Sequence, residues 1–238
     1  MNEKETKGSI AKKAKNPKVD FVSIEEDETD NSLGPFEVFE KCIKRSENLI
    51  SFHSSTEKIE EISEQHYCDC YRAAVVLSIS ALDAFVRKIV ISEITKIIAD
   101  KNPLNIKLKD YVKGLLNQDK LLEAARNYDL LEKVENAIKS DFETKSFQGE
   151  WKISSYMEMV GHKDIFSEVS IKVDINERNL RKRLNEFTNR RHIIAHSGDY
   201  DLNQSPHIEN GIDKKFADEC VKTVRLFAKT IHDIIEKK

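Results

Sequence analysis

One run narrows the possible folds of this chain more than any other feature: "YCDCYRAAVVLSISALDAFVRKIVISEITKIIAD", residues 67 to 100. Cys70, Ala74, Leu77, Ala81, Phe85 and Ile89 recur along it at helical spacing, and Ala73, Leu82 and Val86 widen the stripe. Pro103 follows shortly after and supplies a stop. A stripe this long and broad, rich in small residues, predicts a central helix that neighbours pack against closely. The composition agrees with an all-α chain: 34% charged and 39% hydrophobic residues, with 7 Gly and 4 Pro in 238, suit helices better than a turn-rich β protein.

The rest of the chain supplies the neighbours. From Pro35, the positions Phe36, Phe39, Ile43 and Ile50 predict a first packing helix that ends before Tyr67. Residues 104 to 148 read as shorter helical pieces, the clearest being "LLEAARNYDLLEKVENAIKSDF". After the sole tryptophan, Trp151, a helix is expected from Ser154 to Val160, ended by Gly161. Asn176 is placed to cap a helix whose apolar face is Leu180, Leu184, Phe187, Ile194 and Ile193, with Gly198 as its terminator. Phe216, Cys220, Val224, Phe227 and Ile231 mark a last helix. No strand alternation competes, and no internal repeat is evident. The expected architecture is an all-α helical bundle over residues 35–238.

Residues 1–34 differ in kind, with a lysine-rich start followed by the acidic run Asp20, Glu25, Glu26, Asp27, Glu28 and Asp30. So little apolar surface does not offset the entropy of ordering, and a disordered tail is expected there. The formal net charge of -3 excludes a globally basic nucleic-acid binder but leaves room for a local basic surface. Cys42, Cys68, Cys70 and Cys220 suggest neither a zinc ribbon nor a disulfide framework. With no apolar leader and no run approaching the ~18–20 apolar residues of a membrane span, a soluble cytoplasmic protein without membrane contact is expected.

Chemistry concentrates in "NRRHIIAHSGD", residues 189 to 199. Asn189, His192 and His196 step by three and four, so they share one helical face. Arg191 stands five before His196, about 140° around an ideal helix, so its long side chain must curl back or act near the helix end. Both Arg191 and His196 are expected on the polar side, opposite Leu184 and Ile194. Arginine and histidine together suit phosphodiester cleavage: a histidine near its ordinary pKa of ~6.5 moves protons at neutral pH, and a guanidinium holds two phosphate oxygens through its planar fork. RNA brings its own nucleophile, the 2′-hydroxyl. Arg178, Arg181, Lys182, Arg183, Arg190 and Arg191 on the same helix predict a positive surface for a polyanion. The alternatives are an ordinary exposed helix face, where the macrodipole favours basic residues near the carboxyl end, and a His pair at i, i+4 that binds zinc. No HExxH glutamate or obvious third ligand accompanies the pair. His53, His66, His162, His207 and His232 are isolated and read as surface or satisfied histidines.

"RHIIAH" at 191–196, following "ALDAFVRKIV" at 81–90, resembles the HEPN superfamily, in particular the RiboL-PSP-type branch, across roughly residues 36 to 236. That family's signature is an arginine, then often Asn, His or Asp, then a histidine after four to six residues. Arg191, His192 and His196 match it at the shortest spacing. Asp83 in "LDAFVRK" looks like the branch's early acidic residue, which tends to face the motif. Some branches add a tyrosine two residues after the histidine; here that position is Gly198 and the nearest tyrosine is Tyr200.

The resemblance implies a metal-independent endoribonuclease with no cofactor, a homodimer whose two motifs line one cleft, acting as a toxin or antiphage-defence effector with an antitoxin or defence-system partner. Arg191 and His196 are then catalytic, His192, Asn189 and Arg190 bind or support the substrate, and Asp83 polarises the motif. The rival expectation is a catalytically silent HEPN module that binds RNA or a partner protein.

Overall fold

The computed structural model describes residues 33–56, 63–116 and 118–237. The tail expected over residues 1 to 34 therefore lies outside the described residues up to residue 32. Those described form nine helices and one short hairpin: α1 (Pro35–Thr56), α2 (Glu64–Ala99), α3 (Ile106–Leu115), α4 (Gln118–Arg126), α5 (Leu130–Glu143), α6 (Glu150–Met159), α7 (Ile165–Val173), α8 (Glu177–Ser197), β1 (Tyr200–Asp201), β2 (Ile208–Glu209) and α9 (Lys214–Ile235).

The central helix is where the apolar run predicts it. α2 packs against α1, α9, α8 and α5, and Val75, Ile79, Leu82, Val86 and Val90 have no solvent exposure. Its N-terminus is held by Ser63, whose N–H donates to Nδ1 of His66 at 3.1 Å. Leu77 is 38% exposed, against the expectation that it belongs to the buried stripe. Buried positions cover a wide arc on so enclosed a helix. At about 100° per residue that arc centres near Tyr71, Val75 and Leu82, leaving Leu77 on its outer margin with the exposed Ala84.

Aromatic rings join the layers. Phe36 and Phe39 of α1 meet Phe85 of α2, with centroids 6.0 and 5.4 Å away. His232 of α9 stacks on Phe36 at 4.5 Å. Phe166 of α7 packs on Phe227 of α9 at 5.0 Å, and Phe187 of α8 on Phe216 of α9 at 5.3 Å. His162 is buried, with Nδ1 3.3 Å from Glu168, a satisfied histidine as expected.

Three local expectations change. α6 begins at Glu150 rather than Ser154, because Gly149 turns the chain at φ +88 and Oδ1 of Asn185 accepts the Glu150 N–H at 3.2 Å. α7 has no counterpart among the expected helices. It is nine residues long, capped by Asp164, whose carboxylate accepts the Ser167 N–H, and ended by Asp174 at φ +52. β1 and β2 pair antiparallel, Tyr200 opposite Glu209 and Asp201 opposite Ile208. A two-residue ladder is too short to leave an alternating pattern in sequence.

Candidate active site

Asn176 caps α8 as predicted, accepting the Asn179 N–H at 3.3 Å. Leu180, Leu184 and Phe187 are its buried stripe. Arg191 follows in the same rhythm of four, three and four, so it continues the inward stripe rather than joining the polar side opposite Leu184. Seven residues make nearly two full turns, which returns Arg191 to the line of Leu184. It is half-buried, its Nε is buried without a hydrogen-bond partner, and no protein group among the described residues pairs with its guanidinium.

The opposite face carries the histidines. Asn189, His192 and His196 are exposed, and the two imidazole rings touch, with centroids 4.3 Å apart and planes at 46°. Ile194 packs against the core, but Ile193 is 37% exposed and turned outward, unlike the inward position expected of it. Ile194 lies two turns beyond the buried Phe187, and the next residue back is rotated about 100° away.

α8 ends where Gly198 and Asp199 take left-handed φ values of +60 and +70, letting their N–H groups return to the carbonyls of Ile194 and Ile193 at 3.1 and 3.4 Å. Glycine enters this region without penalty, and aspartate is among the few other residues that tolerate it. The turn buries Asp199 completely. Its Oδ2 accepts from Nε of Arg72 at 2.8 Å and from Nη2 of Arg190 at 2.7 Å. The same Arg190 nitrogen donates to the carbonyls of Asn210 and Gly211 at 3.1 and 2.8 Å. Arg72 also bonds the Asn210 carbonyl at 3.0 Å, Glu209 at 2.9 Å and Asp69 at 3.1 Å. Burial acts to lower the Arg72 pKa, but the bond to Asp199 and the nearby Glu209 outweigh it and raise the pKa above its ordinary value. Even in this cluster, Nε of Arg190 and Oδ1 of Asp199 have no partner.

Arg190 is thus engaged by Asp199 and two carbonyls, contacts that fasten the end of α8 to α2 and to the segment after β2. Asp83 is engaged elsewhere. Oδ2 accepts from Arg87 at 2.7 Å, and Oδ1 from the Ser146 hydroxyl at 3.1 Å and the Phe147 N–H at 2.6 Å. These bonds tie α2 to the stretch before α6, and none of them reaches Arg191, His192 or His196.

The positive surface is smaller than the six cations of α8 suggest. Arg181 pairs with Glu177 at 2.7 Å and Asp164 at 3.4 Å, and its guanidinium lies 4.3 Å from the Phe166 ring centroid. Arg183 pairs with Glu219, and Arg190 with Asp199. Arg178, Lys182 and Arg191 remain without an ion-pair partner among the described residues. No group of three or more His, Cys, Asp or Glu side chains among them is placed to hold a metal ion. None of the described helices is long and apolar enough to cross a membrane.

A family model for the RiboL-PSP-HEPN domain matches residues 40–237, which takes in most of α1, all the later helices and the whole "RHIIAH" segment. The chain belongs to the RiboL-PSP-HEPN family, within the HEPN superfamily. No curated protein and no solved structure matches it.

In this RiboL-PSP-HEPN domain the sequence reading missed Arg72 and underused Asp199. The one available signal was Arg72 itself, a cation set between Tyr71 and Ala73 on a helix otherwise read as core. A cation there needs a buried partner. The partner comes from 127 residues away, and periodicity within one helix does not point to it.

Proposed function

We propose that this RiboL-PSP-HEPN chain is a metal-independent endoribonuclease in which Arg191 holds the scissile phosphate and His196 is the general acid/base. Asn189 and His192 orient the substrate or His196. The observation that carries this reading is the contrast between adjacent arginines: the Arg190 guanidinium is bound to Asp199 and two carbonyls, while that of Arg191, about 140° around α8 from His196, has no protein partner among the described residues. A buried donor without a partner is costly, and an anion that completes it supplies a reason for the cost. Family membership supports the same chemistry.

In the step itself, the 2′-oxygen attacks the adjacent phosphorus as its proton passes to a base. The bond from phosphorus to the 5′-oxygen breaks, and an acid protonates that leaving oxygen. Attacking and departing oxygens lie on opposite sides of phosphorus in an in-line displacement. His192 and His196, in ring contact, leave no room for a phosphate between them. The proposed enzyme is therefore a homodimer in which the second proton-moving group comes from the other copy. The proposed role is that of a toxin or antiphage-defence effector, held by an antitoxin or defence-system partner.

The test is incubation of purified protein with mixed RNA in EDTA. Cleavage leaving 2′,3′-cyclic phosphate ends is expected, from a protein that light scattering finds dimeric at micromolar concentration. Loss of cleavage in chelator, restored by one divalent ion, overturns the metal-independent mechanism. RNA bound but intact after hours leaves the silent binding module.

A further inference from the structure

Along the outer face of α8, Arg178, Lys182, Asn185, Asn189, His192 and His196 succeed one another in steps of four, three, four, three and four. Residues in that rhythm stay within a narrow arc of one helix, here opposite the stripe of Leu180, Leu184 and Phe187. At about 1.5 Å per residue the row runs about 27 Å from His196 to Arg178. Its far end carries two open cations, Arg178 and Lys182, which are exposed and have no ion-pair partner among the described residues. Of the neighbouring carboxylates, Glu177 and Glu150 face Arg181 at 2.7 and 3.7 Å and Glu219 pairs with Arg183, which leaves Glu186 as the unpaired one among the described residues. Two grooves flank this end of the helix. One of about 560 Å³ is lined by Arg178, Lys182 and Asn185, and one of about 760 Å³ by Lys182, Asn179 and Glu186. Lys182 stands on the ridge between them.

We infer that Arg178 and Lys182 form a second phosphate-holding subsite, which takes the backbone of a single RNA strand whose reacting phosphodiester lies at His196. The inference rests on the ribonuclease reading for its ligand. The placement selects the path, since two cations in line with the histidines along one helix face, with the hydrogen-bonding amides of Asn185 and Asn189 between, match one strand's line of phosphates. A stacked strand advances about 3.4 Å per phosphate, so the row corresponds to roughly eight nucleotides, and fewer if the strand is extended. Unpaired cations at the surface bind phosphates by releasing counterions, without reading bases. Substrate length, rather than base identity, is what this subsite selects.

The experiment measures binding of oligouridylates to the full-length His196→Ala protein, with and without Arg178→Gln and Lys182→Gln together, across a salt series. For a strand of about twelve nucleotides, losing two phosphate contacts makes the slope of log affinity against log salt shallower by about 1.4, a difference of about sevenfold between 50 and 200 mM salt. An oligomer of about three nucleotides is too short to span His196 to Lys182 and gains nothing from holding both ends at once, so the two substitutions cost it less than they cost the long strand. Glu186→Gln removes the unpaired carboxylate from the wider groove, so it tightens binding of the long strand. Equal slopes for the long strand with and without the two substitutions overturn the subsite. So does an equal loss for long and short strands, which means the substitutions act on the histidine end itself. The outcomes separate from those of the catalytic reading: altered slopes with a wild-type protein that cleaves nothing keep the subsite and remove the enzyme, and unaltered slopes with a wild type that cleaves do the reverse.

Discussion

Beneath the end of α8, Arg72 and Arg190 converge on one fully buried carboxylate and two arms of backbone. On the helix above, Arg191 meets no protein partner, and the two histidines of its motif touch mainly each other. Each region holds an arginine of the same adjacent pair, yet only the first sets its guanidiniums against carboxylates. A balanced buried cluster specifies where a helix ends. An unbalanced one costs stability, and selection retains such a cost for a ligand or a reaction. On the proposed ribonuclease reading, the clamp presents the motif and the motif does the chemistry.

The sharpest way to break that division is His196→Ala. A positioned acid/base group contributes ~10²–10⁴-fold, so cleavage should fall by that factor in a gel assay while thermal melting stays where it was. A folded variant with wild-type cleavage ends the enzyme reading, and one that fails to fold shows that the ring, despite its exposure, is structural.

Next in size is the clamp. Asp199→Ala takes from Arg190 its carboxylate partner and from Arg72 its buried one, leaving Arg72 with Glu209 and Asp69, and should cost roughly 3–5 kcal/mol in urea unfolding, the penalty for removing one partner of a buried ion pair. Phe85→Ala, against Phe36 and Phe39 in the core, should cost about as much, roughly 3–5 kcal/mol, by leaving a cavity. If Asp199→Ala costs less than about 1 kcal/mol while Phe85→Ala behaves as expected, the clamp is not what holds the helix end.

The smallest effect is the most discriminating. Arg191→Met keeps the length and apolar stem but removes the unpaired buried Nε, so the variant should be as stable as wild type or more stable by about 1 kcal/mol, with cleavage lost. A clear destabilisation would mean that Arg191 has a structural role like that of Arg190.

Much of the scaffold was legible in the chain. The run from Tyr67 to Asp100 specifies α2 because a helix buried over so much of its surface must be apolar nearly all round. Asn176 and Gly198 mark the ends of α8 because each supplies a local need, a side-chain acceptor for the first turn and a left-handed φ for the last. α7 escaped notice because nine residues give periodicity too little length to register, and α6 began early because Asn185, distant in sequence, accepts its first N–H.

The motif divides in the same way. By itself the sequence determined that Asn189, His192 and His196 share a face, since 3.6 residues per turn follows from backbone geometry alone, but it put Arg191 on the polar side with them, and the structure sets Arg191 in line with Leu184 and Phe187. Only the tertiary structure decided which of two adjacent arginines would be tied down. That choice depends on Asp199, Arg72 and Asn210 arriving from three separate segments around one buried point. Charges pair through space, where the energy falls with distance and rises as water is excluded, and neither quantity is written in the spacing of residues along a helix.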